Sequence, residues 1–186
     1  MGIHSGVDTL DLSQLFPAPH LALLVSRFNE DITQGLKEGA LGWLDEHKIS
    51  VLERDIFMAP GAFEMPLLAK TLAESDRYEG VICLGCVVKG DTAHFEFISL
   101  STSIGIMQAS LTTEVPITFG ILTTYTQEQA RIRSTTDEHN KGREAAAACV
   151  ESIALLRQLH GVSSGQGRLH RGKTHGGRHM GEDNFR

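Results

Sequence analysis

Four short strand-like runs alternate along this chain with segments of helical period, and that alternation leaves few folds open. The runs are LALLVSRF (21–28), SVLERDIFM (50–58), GVICLGCVV (80–88) and ITFGILTT (117–124). After the first, Asp31 is placed to cap a helix whose Ile32, Leu36, Ala40, Trp43 and Leu44 share one face. After the second, PGAFEMPLLAKTLAES (60–75) makes a tight turn into another helix. After the third, Phe97, Leu100, Ile104, Met107 and Leu111 recur at spacings of 3, 4, 3 and 4, the pattern of an amphipathic helix. Pro116 ends that segment. A short helix around 127–133 and an alanine-rich one from about 141 to 160 follow the fourth run. The last should turn Ala146, Cys149, Val150, Ile153 and Leu156 inward. Strand then helix, four times over, implies a parallel sheet covered on both faces: an α/β sandwich of flavodoxin-like type. Such sheets bind ligands beyond the carboxyl ends of their strands.

A chain of 186 residues suffices for one domain with a full core, and its 41% hydrophobic and 22% charged content is ordinary for a globular protein. It holds no apolar run near the roughly 20 residues a bilayer span needs. The start, MGIHSGVDTLDLSQLF, lacks the basic-then-apolar order of a secretory signal, so the cytoplasm is the expected location. The net charge of −6 is unevenly spread, because residues 161–186 carry five Lys/Arg against two Asp/Glu. The remaining body is strongly acidic, which argues against nucleic acid as a partner and requires any anion site to concentrate positive charge locally. The Gly-rich 161–186 tail is expected to be disordered, and its His170, His175 and His179 lack the spacing of a metal site. Residues 1–17 are expected to form a partly disordered lead-in to a domain of 18–160. Cys83 and Cys86 match the C-x-x-C redox spacing, but on a strand positions three apart point to opposite faces, so no disulfide is expected.

The chemistry-bearing residues gather at the strand ends. Phe28 follows the first, Ala62, Phe63 and Glu64 follow the second, and GCVVKGDTAHFEF (85–97) leaves the third through a polar corner into a helix. At that corner Asp91 or Thr92 could simply cap the helix. Alternatively, Gly90, Asp91 and Thr92 offer backbone N–H groups to an anion, with the His94 imidazole beside them to move protons.

VSRFN, PGAFE, GDTAHFEF, FGILTT and NKG stand in the order and spacing of 6,7-dimethyl-8-ribityllumazine synthases, and the chain resembles that family over about residues 18–160. The resemblance implies a three-layer α/β/α sandwich around a four-stranded parallel sheet, assembled as pentamers with sites between neighbouring subunits. It implies condensation of 5-amino-6-(D-ribitylamino)uracil with 3,4-dihydroxy-2-butanone 4-phosphate, with loss of phosphate and water and no metal or organic cofactor. By the same resemblance Phe28 stacks on the pyrimidine, Ala62, Phe63 and Glu64 hold the ribityl chain, and the main chain of Cys86, Val87 and Val88 binds the uracil edge. Gly90, Asp91 and Thr92 hold the phosphate, Arg133 pairs with it, Lys141 lies near it, Phe119 enters from the adjacent subunit, and His94 transfers protons. His94, Arg133 and Lys141 standing together favour an enzyme over a flavin or lumazine carrier, which needs no phosphate seat.

The assembly state is read from two departures. Shell-forming members of the family resembled here carry a glycine where this chain has His139, and a kink built on positive φ is costly for histidine. In LFPAPHLAL (15–23), Pro17 and Pro19 lack the N–H that adding a strand to a neighbouring sheet requires. A pentamer is therefore expected rather than a sixty-subunit shell.

Overall fold

The computed structural model describes residues 15–161, so the 161–186 tail beyond Gly161, its three histidines and most of the 1–17 lead-in lie outside the described residues. Four parallel strands form one sheet in the order β2-β1-β3-β4. They are β1 (Leu21–Ser26), β2 (Ile56–Ala59), β3 (Gly80–Val88) and β4 (Ile117–Thr124). The helices are α1 (Glu30–Glu46), α2 (Met65–Ala73), α3 (His94–Thr113), α4 (Gln127–Ile132) and α5 (Lys141–Leu159). Among the described residues no helix is long and apolar enough to cross a membrane.

The period-two alternation of the strands divides the core between the two faces. Leu21, Leu23 and Val25 of β1 face one layer with Ile82, Leu84 and Cys86 of β3, where α1 and α5 cover them. Ala22 and Leu24 face the other with Val81 and Cys83, under α2 and α3. Cys83 and Cys86 thus sit in opposite halves of the core, and all three cysteines are free. The expected inner faces hold: Ile32, Leu36, Ala40, Trp43 and Leu44 of α1 are buried, as are Ala146, Cys149, Val150 and Ile153 of α5, with Leu156 half-buried.

Helices α1 and α5 approach so closely that Gly142 of α5 faces the backbone of α1. A Cβ on Gly142 would stand 1.9 Å from the Leu36 carbonyl oxygen. Asn140, fully buried, ties the join together. Its amide donates to the carbonyls of Gly35 and Thr135 at 2.9 and 2.6 Å, while its Oδ1 accepts from the N–H groups of Gly142 and Arg143.

Three expectations are corrected. The first strand ends at Ser26, because Asn29 in the left-handed region (φ 56) turns the chain into α1 and occupies the cap position expected of Asp31. The second is four residues long, because Glu53–Asp55, three consecutive charged residues, wind into a 3-10 turn ahead of it. The stripe on α3 does not pack on the sheet. Phe97, Leu100, Ile104, Met107 and Leu111 are all exposed, and Thr102, Ile106 and Ala109 take the inner face.

Candidate active site

The carboxyl ends of β1, β2 and β3 bring three of the expected corners to one edge of the sheet. Strand β1 pairs with β3 only as far as Val25 opposite Leu84, so β3 projects beyond it with one side of its main chain uncovered. In a parallel ladder successive residues bond to opposite neighbours. The N–H groups of Val81 and Lys89 donate toward β4, to Pro116 and Thr124. Cys86 and Val88, being even-numbered, therefore turn their main-chain groups toward the β1 side.

Asn29 fills part of that opening. Its Nδ2 donates to the Cys86 carbonyl at 2.9 Å across 57 positions of sequence. The Cys86 carbonyl is thus already engaged by protein, and among the described residues Val88 holds the main-chain donor and acceptor left open on this side. Beside it Phe28 is 70% exposed, its N–H held by Ser26 Oγ at 3.2 Å, so the ring stands clear of the core. An exposed ring at the mouth of an uncovered strand edge suits a flat heterocycle. Sequence reading assigned no role to Asn29. Its one sequence signal is an Asn directly after a strand, where a left-handed residue is tolerated. The Cys86 thiol lies beneath the corner, and burial, with the Asp31 carboxylate nearby, pushes its pKa up to about 11. It takes no part as a nucleophile at neutral pH.

The turn after β2 carries Ala62, Phe63 and Glu64. Ala62 is buried, whereas Phe63 and Glu64 are exposed. The Glu64 carboxylate folds back over Gly61, where a Cβ would lie 3.1 Å from Oε2. The Ala62 carbonyl accepts from Met65 N–H and from Thr102 Oγ1, both at 3.2 Å. Among the described residues the N–H groups of Ala62, Phe63 and Glu64 have no acceptor, the orphan donors expected at a helix start.

The third corner has the same character. Gly90, Asp91, Thr92 and His94 are all exposed, and among the described residues the N–H groups of Gly90, Asp91 and Thr92 have no acceptor. Asp91 does not cap α3, whereas Thr92 Oγ1 accepts from the His94 N–H at 3.4 Å. Lys89 and Glu96 close the turn with an ion pair of 2.9 Å, and Lys89 also lies 5.4 Å from the Tyr125 ring centroid. The pair raises the Lys89 pKa and lowers that of Glu96. Unpaired N–H groups, a fixed cation and a helix N-terminus together suit a phosphate.

Arg133 and Lys141 are joined by a 2.9 Å bond from the Lys141 N–H to the Arg133 carbonyl. Arg133 Nη1 donates to the Gln129 carbonyl and Lys141 pairs with Glu144. Among the described residues neither cation bonds to the Gly90–Thr92 turn. Phe119 is also apart, since it lies opposite Cys83 in the β3–β4 register. At about 3.3 Å per residue, that is roughly 17 Å along the strand from Val88. One chain therefore assembles Phe28, the Ala62–Glu64 turn, Cys86–Val88 and the Gly90–His94 corner, and holds Phe119, Arg133 and Lys141 elsewhere. Among the described residues there is no cluster of side chains able to hold a metal ion.

A family model described as 6,7-dimethyl-8-ribityllumazine synthase matches residues 18–157. The chain belongs to that family. It has lumazine synthase activity and acts in riboflavin biosynthesis. It is 56% identical over 141 residues to "6,7-dimethyl-8-ribityllumazine synthase 1" of Caulobacter vibrioides, covering 76% of this chain and 92% of the relative. Identity to the lumazine synthase of Syntrophus aciditrophicus is 50% over 137 residues, covering 74% of this chain and 89% of the relative. Identity to that of Protochlamydia amoebophila is 44% over 139 residues, covering 75% of this chain and 81% of the relative.

Proposed function

We propose that the sheet edge is the lumazine synthase site, with ribitylaminouracil across Phe28 and Val88 and the butanone phosphate at Gly90–Thr92. The Gly90–Thr92 turn carries this reading: three unpaired N–H groups, bracketed by the Lys89–Glu96 pair, at the mouth of the helix that begins with His94. The polyol chain takes the free N–H groups of Ala62, Phe63 and Glu64. Cys86 and Val87 hold the strand from which Val88 meets the uracil edge. His94 moves protons while the amine attacks the ketone, carbinolamine becomes imine, and phosphate leaves. The electrophile and the leaving group both belong to one substrate, so the reaction needs no added cofactor. The protein works in the cytoplasm.

Arg133, Lys141 and Phe119 complete the site from a neighbouring subunit, with the guanidinium on the phosphate. An assay of lumazine absorbance and phosphate release tests this. Arg133→Lys removes the planar fork and should raise KM for the butanone phosphate more than KM for the pyrimidine. Equal rises would make Arg133 an interface residue.

The assembly is a homopentamer rather than a sixty-subunit shell. The exposed stripe on α3 supports a ring, because so large an apolar face on a soluble chain marks a contact surface. The lead-in supports a ring that stops there. Leu15 is buried in the chain's own core and the Pro17 carbonyl accepts from Arg157 Nη1 at 2.8 Å, so this segment is not extended toward a neighbour. Between Arg133 and Lys141 no residue has positive φ, so the loop closes without the glycine kink. Light scattering should give a mass of about five chains, and a megadalton particle would overturn the pentamer.

A further inference from the structure

We propose that Thr102, on the buried face of α3 and touching no substrate, is a positioning residue that aims the Phe63 N–H at the polyol chain of the pyrimidine substrate. This rests on the reading of the Ala62–Glu64 turn as the polyol seat. A threonine inside a helix ordinarily donates its hydroxyl to the carbonyl one turn back. Thr71 and Thr113 do so here, bonding Leu67 and Ala109. Thr102, 1% exposed, instead crosses to another element and donates to the Ala62 carbonyl at 3.2 Å, 40 positions away. That oxygen can only accept, so the direction of the bond is fixed.

The consequence follows from the planarity of the peptide. The Ala62 carbonyl and the Phe63 N–H are opposite ends of one rigid trans unit. Pinning the oxygen inward against α3 points the N–H outward, toward the open edge, where it has no acceptor among the described residues. A second contact holds the same two elements in place. Gly105 lies against Pro66, where a Cβ would come within 2.8 Å of the proline ring. Helix α3 also begins with His94, about two turns above Thr102, a rise of roughly 12 Å. One rigid helix thereby sets both the proton-transferring imidazole and the donor that anchors the far end of the substrate.

Thr102→Val keeps the shape and removes the donor, and Thr102→Ser keeps the donor. The expected result is a KM for ribitylaminouracil raised about 3- to 10-fold in the valine variant, the worth of one hydrogen bond. KM for the butanone phosphate should be unchanged and serine should restore the first value to within about twofold. With 5,6-diaminouracil, which lacks the polyol, wild type and valine variant should have equal KM values. An unchanged KM for ribitylaminouracil, or no rescue by serine, overturns the role of Thr102. An equal loss with and without the polyol overturns the polyol reading of the turn itself. Thr102→Ala serves as a second donor-free variant, and loss of the folded state in both would make the hydroxyl structural and overturn the proposal.

Discussion

His94→Ala is expected to slow turnover by roughly 10- to 10⁴-fold, the range for loss of one acid–base group, while leaving pyrimidine binding nearly intact. The split follows from placement. His94 is exposed at the head of α3, and among the described residues its imidazole makes no bond that holds the corner together. Its removal leaves the Thr92 hydroxyl, the Lys89–Glu96 pair and the uncovered edge of β3 as they are. Residual rate should come from substrates held in position. Steady-state kinetics with both substrates, beside equilibrium binding of the pyrimidine, separates the two effects. Full turnover at neutral pH would remove His94 from the mechanism.

Gly142→Ala should be the most damaging small substitution for stability. Alanine is the better helix former by about 1 kcal/mol, which by itself favours the change. The new Cβ, however, would stand 1.9 Å from the Leu36 oxygen and 2.7 Å from its carbonyl carbon. Both are backbone atoms of a buried helix, so α5 must move away from α1 and the Asn140 bonds must stretch. Overpacking costs about 1–3 kcal/mol, and a clash this deep with backbone atoms belongs at the upper end of that range, so the clash wins. A net loss near 2 kcal/mol corresponds to a fall in Tm of roughly 4–8 °C for a domain of this size. Gly90→Ala is the control, since a Cβ there meets nothing within 4 Å. Thermal unfolding of the two variants should differ, and equal Tm values would show that the helices yield without cost.

Much of the fold was legible in the sequence because it is written in local pattern. The β3 and β4 runs are unbroken, and the apolar face of α1 is complete over three turns. The second strand is shorter than SVLERDIFM suggests, because the run has strand-like ends while its central Glu53, Arg54 and Asp55 turn readily in water. The stripe on α3 shows why period alone misleads. A spacing of three and four identifies an apolar face, but an apolar face left exposed on the chain reads the same as one that meets the sheet. The candidate site was legible where residues sit on strand-end corners. Asn29 and Thr102 were not, because their partners lie 57 and 40 positions away. Nor does the motif FGILTT reveal that Phe119 lies far from the edge, which depends on the β3–β4 register.

The three buried thiols give the protein an internal clock. Cys83 and Cys149 have no exposed surface and Cys86 almost none. Burial raises the pKa of each, to about 12 at Cys149 and about 11 at Cys86, so hidden sulfur is also protonated sulfur. Alkylating reagents need thiolate and access, and the closed molecule withholds both. Each labelling event then records an excursion in which the corresponding layer has opened. Because Cys83 belongs to the layer under α2 and α3 and Cys149 to the one under α1 and α5, their separate labelling rates time the two faces of the sheet independently.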